Sequence, residues 1–296
     1  MKIAITGGSG FIGKRLIHYW LSEGHDIINI SRSSTKQIPG VRTVTWDALQ
    51  SDVAALQGVD AIVNLAGESI SQRWTAAAKS RILQSRLQAA EQVALLVSRL
   101  DPKPNVVVNA SGMSIYGTSE TDTFDEKSPH RATDFLAEVV KQWEQAADRI
   151  LGTRVVKVRV GLVLDKKEGA FPKMALPYKL GVGGTVGSGK QWLSWIHIAD
   201  MVRLIDFCVK NESIVGLVNA TAPNPVTNKQ FGQALAAAMH RPNLFPVPSF
   251  VMKLLFGELS VLLLQGQKVI PQVLRTHSFE WNFTTIREAF ADLAKK

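Results

Sequence analysis

Thr6-Gly7-Gly8-Ser9-Gly10-Phe11-Ile12-Gly13 holds the most chemically suggestive spacing in this chain of 296 residues. Gly8, Gly10 and Gly13 fit GxGxxG, and Gly7, Gly10 and Gly13 also fit GxxGxxG. Glycines at this spacing let a backbone turn tightly and come close to a pyrophosphate. The start of the helix that follows then offers unpaired N–H groups and a positive dipole end to that anion. An apolar run, Lys2 to Ile5, precedes the motif, and a helical pattern closing near Gly24 follows it, which is the context that dinucleotide binding requires.

The second apolar run ends in Ser31-Arg32-Ser33, nineteen residues past Gly13. Proteins that bind NAD commonly place a carboxylate there to hold the ribose 2′-hydroxyl. Arg32 can instead pair with a 2′-phosphate through charge-assisted hydrogen bonds, so the sequence predicts NADP as cofactor. Two hydroxyls suit proton chemistry near the expected nicotinamide. Ser111 could polarise a substrate carbonyl, and Tyr116 could donate a proton if it points inward.

These groups need elements to position them. Apolar runs predict strands at 2–6, 26–31, 42–46, 60–66, 105–110 and 154–160, with helical patterns near 12–23, 75–98 and 133–150 between them. Such alternation predicts an α/β fold, a doubly wound parallel Rossmann sheet covered on both faces. Gly and Pro become denser through 169–190, and a strand–helix unit follows around 192–211. The expected organisation is a dinucleotide domain over 1–165 and a smaller substrate-side portion over 166–296. The chain returns to the sheet over about 192–222.

Composition narrows the function classes. Hydrophobic residues are 46% and charged residues 20%, which excludes disorder. The single cysteine, Cys208, excludes disulfide scaffolds and cysteine-rich metal sites, and no histidine cluster has metal-ligand spacing. Net charge is +9, but no basic run exceeds two, as in Lys166-Lys167 and Lys295-Lys296, so no nucleic-acid stripe forms. The longest apolar stretch, Val251 to Leu264, is interrupted and too short to span a bilayer, and no membrane partner is expected. A strand opening at residue 2 leaves no room for a leader, so a cytoplasmic protein with a small-molecule substrate is expected. Gly184 to Lys190 reads GxxxxGK, but Gln191 stands where a P-loop needs Ser or Thr, and a strand pattern follows. That loop is read as a substrate loop offering Lys190 and Gln191. His197 is expected to anchor the next strand–helix junction and Asp200 to cap the helix.

With Asn64-Leu65-Ala66-Gly67 after the fourth strand, the chain resembles the short-chain dehydrogenase/reductase superfamily. Ser111 to Gly117 (SGMSIYG) resembles its extended branch of sugar-nucleotide epimerases and dehydratases. Arg73-Trp74, Ser85-Arg86, the run Gly183 to Trp192, Trp195 to Asp200 and Gly266 to Pro271 resemble an atypical subfamily labelled epimerase family protein. Its members end in a segment of unknown function, here about 247–293. The resemblance implies that Leu65, Ala66 and Gly67 line the cofactor, that Arg81 and Arg86 reach its phosphates, and that Val163 borders the nicotinamide. Asp47 would lie near the adenine.

The superfamily's usual Tyr and Lys, four residues apart, are missing. Phe135 falls at the tyrosine position and Val139 at the lysine position, and neither can exchange a proton. Lys141 lies two residues past the lysine position, which turns it about 200° around the helix. Counting back four from Tyr116 reaches Gly112 where the family carries a hydroxyl. The sequence therefore predicts an NADP-dependent oxidoreductase or epimerase-like enzyme without the usual pair. The alternative is a non-catalytic NADP(H)-binding redox sensor.

Overall fold

The computed structural model describes residues 1–35 and 37–295; Lys36 and Lys296, the second lysine of the terminal pair, lie outside the described residues. In chain order the elements are β1 (Lys2–Thr6), α1 (Phe11–Ser22), β2 (Asp26–Ser31), β3 (Arg42–Thr45), α2 (Trp46–Ser51), β4 (Ala61–Asn64), α3 (Ala76–Arg99) and β5 (Val106–Gly112). Next come β6 (Thr123–Phe124), α4 (Phe135–Ala147), β7 (Arg154–Val160), β8 (Leu162–Leu164), α5 (Phe171–Lys179), β9 (Trp192–Leu193), β10 (Trp195–His197), α6 (Ile198–Lys210) and β11 (Gly216–Ala220). The chain closes with β12 (Val226–Thr227), α7 (Asn228–Ala238), α8 (Ser249–Phe256), α9 (Val261–Leu264), β13 (Lys268–Val269), α10 (Gln272–Thr276) and α11 (Ile286–Leu293).

Seven strands form one sheet in the order β11-β7-β5-β4-β1-β2-β3, and every neighbouring pair is parallel. Its strand order reverses between β1 and β4, so the crevice for a ligand opens at the carboxyl ends of those two strands. Successive strand residues face opposite sides, and each side is apolar. Ile3, Ile5, Val63, Val106 and Val158 pack with Leu16, Ile17 and Trp20 of α1 and with Met201 and Ile205 of α6. Ala4, Ile28, Ile62 and Val107 pack with Val93, Leu96 and Val97 of α3. Gly24 takes φ +75° immediately after the Glu23 cap of α1, the left-handed conformation that ends a helix at low cost for glycine.

The six predicted strands all form, with ends shifted by a few residues at most. The chain returns to the sheet within 192–222, as expected, through a single strand. Only β11 joins it, whereas β9 pairs with β12 and β10 pairs with β8. Gly161 explains the departure after β7. A Cβ there would stand 2.5 Å from the Ser194 carbonyl oxygen, so only glycine lets the β8 and β10 layer approach so closely. The smaller portion has its own core, in which Phe171, Tyr178, Trp195, Phe231 and Phe290 meet.

Candidate active site and its relatives

Gly7 leaves the end of β1 with φ +71°, and a Cβ on it would stand 2.7 Å from the Leu65 carbonyl carbon after β4. Gly13, in the first turn of α1, is closer still: its Cβ would lie 2.3 Å from the Gly7 carbonyl oxygen. The loop is pinned by Gly10 N–H donating to that same oxygen at 2.9 Å. Gly10 is the N-cap of α1, where no side chain caps the helix and no acid lies in the first turn. The first-turn N–H groups of Phe11, Ile12 and Gly13 therefore face the crevice end of a helix whose dipole favours an anion. This cradle, which any Cβ would fill, fits a dinucleotide pyrophosphate.

A buried polar row sits beneath the crevice. Thr6, Asn64 and Asn109 are in register across β1, β4 and β5. Thr6 Oγ1 donates to Asn64 Oδ1 at 2.5 Å, and Asn64 Nδ2 donates to Asn109 Oδ1 at 2.6 Å. Ala66 N–H donates to Thr6 Oγ1 at 3.2 Å, which fixes the Leu65-Ala66-Gly67 turn beside Gly7. Below Gly67 lies Arg86, donating to the carbonyls of Glu68 and Ile82 at 3.0 and 2.8 Å and resting on the Trp143 ring. Burial pulls its pKa down to about 10. Arg86 thus supports the turn from beneath. Arg81 is exposed, donating to Gln72 Oε1 at 3.3 Å beside Glu68. At the end of β2, Ser31 is half-buried and Arg32 is exposed, and Asp47 is exposed in the first turn of α2.

A second in-register row, Ser111, Arg159 and Asn219, crosses β5, β7 and β11. Ser111 Oγ donates to Glu144 Oε1 at 2.5 Å. Arg159 grips Glu144 through Nε and Nη2, both at 2.8 Å, and donates through Nη1 to the Tyr116 hydroxyl at 2.8 Å. Tyr116 in turn donates to Asn219 Oδ1 at 2.8 Å. Burial would raise the Glu144 pKa, but the hydrogen bonds and charge of Arg159 outweigh it and hold the carboxyl below its usual range. Burial pushes the Tyr116 phenol up to about 12, although Arg159 opposes the shift.

These contacts change the sequence reading. Tyr116 is fully buried with its hydroxyl engaged both as donor and as acceptor, so it forms part of the wall. Ser111 likewise gives its proton to a buried carboxylate. Neither Glu144 nor Arg159 was singled out in the sequence. Their only signal is charge inside elements that a doubly covered sheet must bury. Val163 is buried opposite Ile196 in the β8–β10 pair and packs into the main core. Gln191, read as a substrate group, is buried and donates to the carbonyls of Val186 and Leu263, both at 2.9 Å. His197 does anchor its junction, accepting from Ala199 N–H at 3.2 Å as the N-cap of α6. Asp200 does not cap; its carboxylate accepts the N–H groups of Asn282 and Phe283 at 2.8 and 3.0 Å.

Phe135 and Val139 face an apolar cluster. Trp74, Ile82, Leu136 and Val139 form its centre, with Phe135, Leu259 and Val261 packed against them. Lys79 and Glu258 pair across the same contact. Glu138 and Lys141 are exposed and 3.8 Å apart.

Residues 3–219 match the NAD dependent epimerase/dehydratase family, and residues 247–293 match a domain of unknown function (DUF1731). The chain belongs to that epimerase/dehydratase family. The epimerase family protein YfhF of Bacillus subtilis is 40% identical over 99% of this chain and 98% of its own length. A crystal structure of the human epimerase family protein SDR39U1 with NADPH superposes with a TM-score of 0.91 at 36% identity, covering 99% of each chain. The nucleoside-diphosphate sugar epimerase of Corynebacterium glutamicum superposes with a TM-score of 0.80 at 29% identity, over 99% of this chain and 58% of that one. The epimerase/dehydratase fold and the resemblance to the epimerase family proteins are thus established.

Proposed function

We propose that this epimerase/dehydratase family chain binds NADP(H) in the crevice between β1 and β4 and acts as an oxidoreductase or epimerase-like enzyme on a small oxygenated substrate, with nucleotide sugars as one class. The uncapped start of α1, with the close approach of Gly7 and Gly13, carries the reading. Human SDR39U1 was crystallised with NADPH, which supports the same cofactor here. The residues that would hold it are Gly7, Gly10, Phe11, Ile12 and Gly13 at the pyrophosphate, Ser31 and Arg32 at the 2′-phosphate, and Leu65, Ala66 and Gly67 along the opposite wall. Bound there, NADP(H) would supply or accept a hydride.

Arg32 has no carboxylate partner among the described residues, so its guanidinium can meet a phosphate in a bidentate geometry. Ser111 and Tyr116 would serve by holding the turn between β5 and α4 in place, through Glu144 and Arg159. Ser114, half-buried in that turn, is the hydroxyl better placed to meet a substrate. Its Oγ lies 3.5 Å from where a Cβ on Gly112 would stand, the position at which the wider family carries its strand-end hydroxyl.

The apolar packing of Phe135 and Val139 favours a second reading, an NADP(H)-binding redox sensor without turnover. Titrating the protein with NADPH and NADH tests the shared claim. The wild type should prefer NADPH, and Arg32→Ala should remove at least about tenfold of that preference while leaving NADH binding intact. An unchanged ratio would exclude Arg32 as the selector. Native mass spectrometry of freshly purified protein then separates the readings. A second small molecule retained with the cofactor supports the enzyme, and cofactor alone supports the sensor.

A further inference from the structure

The smaller portion carries a surface unlike the rest of the chain. Residues 169–192 and 221–257 contain Lys173, Lys179, Lys190, Lys229, Arg241 and Lys253 but no Asp or Glu, so two thirds of the +9 net charge sits in these two stretches. All six cations are exposed, and none is ion-paired among the described residues. The carboxylates that flank or touch these stretches are already engaged: Glu168 pairs with Lys14, Glu258 pairs with Lys79, and Glu120 accepts from Ser188 at 3.4 Å.

Large apolar side chains are exposed in the same two stretches. Leu180, Leu244, Phe245, Phe250, Leu254 and Leu255 are 54–83% exposed. Backbone pairing draws them together. Leu244 and Phe245 N–H groups both donate to the Gly183 carbonyl, at 3.1 and 3.2 Å, and Val247 N–H donates to Thr185 at 2.8 Å. The α8 helix starts two residues after Val247 and buries only Met252, which leaves Phe250 and Leu254, one turn apart, facing outward. Soluble monomers rarely present an apolar surface of this kind without a partner.

Charge and composition together select the partner. Interfaces between proteins are enriched in aromatic residues, Met and Arg, and depleted in Lys. Here five of the six cations are Lys, the residue such interfaces avoid, and four of the six exposed apolar groups are Leu. Phe and Leu that enter the acyl boundary, with Lys heads held at the phosphate level, are the composition of helices lying in a bilayer interface. An anionic leaflet attracts such cations over about one Debye length. We propose that α8 and the adjoining 180–187 and 244–248 strands of backbone dock the protein peripherally on an anionic phospholipid surface. No described helix is long and apolar enough to cross a membrane, so the contact is with one leaflet. This inference is independent of the cofactor reading.

Co-sedimentation of the full chain with vesicles tests it. Wild-type protein should pellet with vesicles of phosphatidylcholine and phosphatidylglycerol in equal parts, remain in solution with phosphatidylcholine alone, and be released by added salt. The double variant Leu254→Ser/Leu255→Ser alters two exposed side chains and should bind the anionic vesicles at least about tenfold more weakly with an unchanged melting curve. Lys179→Gln/Lys253→Gln should weaken binding to the anionic vesicles in the same direction. Failure to pellet with the anionic vesicles overturns the proposal. So does a stable lipid-free dimer that Leu254→Ser/Leu255→Ser dissociates in light scattering, because a second copy would then cover the face.

Discussion

Phe135 lies edge-on against Trp74, with ring centroids 5.3 Å apart and planes at 67°. Phe135 occupies the tyrosine position of the superfamily's acid–base pair, and the lysine position, Val139, is buried in the same cluster. Leu259 and Val261, from the segment matching the domain of unknown function, close over both. The loss of the pair and the docking of the C-terminal segment are therefore one packing arrangement. A lysine at 139 would have to bury its ammonium among Trp74, Ile82 and Leu136, and the carboxylate at this contact, Glu258, is already paired with Lys79.

Restoring the pair should therefore damage the fold without creating an enzyme of the usual kind. Val139→Lys is expected to cost about 3–5 kcal/mol, the range for leaving an uncompensated charge in a packed interior. Phe135→Tyr, whose ring is only partly buried, should stay within about 1 kcal/mol. Urea denaturation of the two single variants and the double variant checks this. A double variant as stable as the wild type would show that the cluster is not the reason for the missing pair.

Much of this arrangement could be read in the chain before the fold was known. The glycine loop, the strand–helix alternation and the absence of Tyr and Lys are local patterns, because each is fixed by neighbours within a few residues. The second in-register row was not legible. Arg159 stands in Val-Lys-Val-Arg-Val, and alternation alone assigns its face to solvent. In a sheet covered on both sides there is no solvent face, so that arginine must find a buried partner, and the partner lies fifteen residues back on α4. Asp200 misled for a related reason. Its place in the first turn of α6 suits a cap, but His197 already holds that role, and the carboxylate bonds instead to residues eighty positions away.

Glu144 should govern the acid sensitivity of the fold. Its folded pKa lies below the ordinary 4.5, because Arg159 outweighs the cost of burial. The stabilisation is complete above the unfolded value and is lost as pH falls through the folded one. His130, whose Nε2 lies 2.8 Å from Arg159 Nη2, has its pKa lowered by burial and by that cation. It therefore also favours the fold above its unfolded value near 6.5 and opposes it below. Glu144→Gln leaves Arg159 buried without its counter-charge, and should cost about 3–5 kcal/mol at neutral pH. Chemical denaturation from pH 7 to pH 3 should show wild-type stability falling steadily. The variant should start lower and lose less over the acid half of that range. Parallel curves would remove Glu144 as the source.

Asp200 should hold the C-terminal segment to the dinucleotide half of the molecule. It is fully buried, and its two oxygens accept the backbone N–H groups of Asn282 and Phe283. Arg203 reinforces the latch by donating to Asn282 Oδ1 at 2.7 Å and to the Glu280 carbonyl at 2.9 Å. Phe283 rests on His197, with ring centroids 4.0 Å apart, so the same turn of backbone is held by polar and aromatic contacts together. Asp200→Ala removes the acceptor and leaves both N–H groups without a partner, at a cost of about 2–3 kcal/mol. Asp200→Asn keeps one acceptor oxygen and should lose roughly half as much. Limited proteolysis should then cut the alanine variant between residues 277 and 284 well before the wild type. Cleavage at the same rate and site in both would mean that α11, packed through Phe290 on Phe171 and Phe231, holds the segment without the latch.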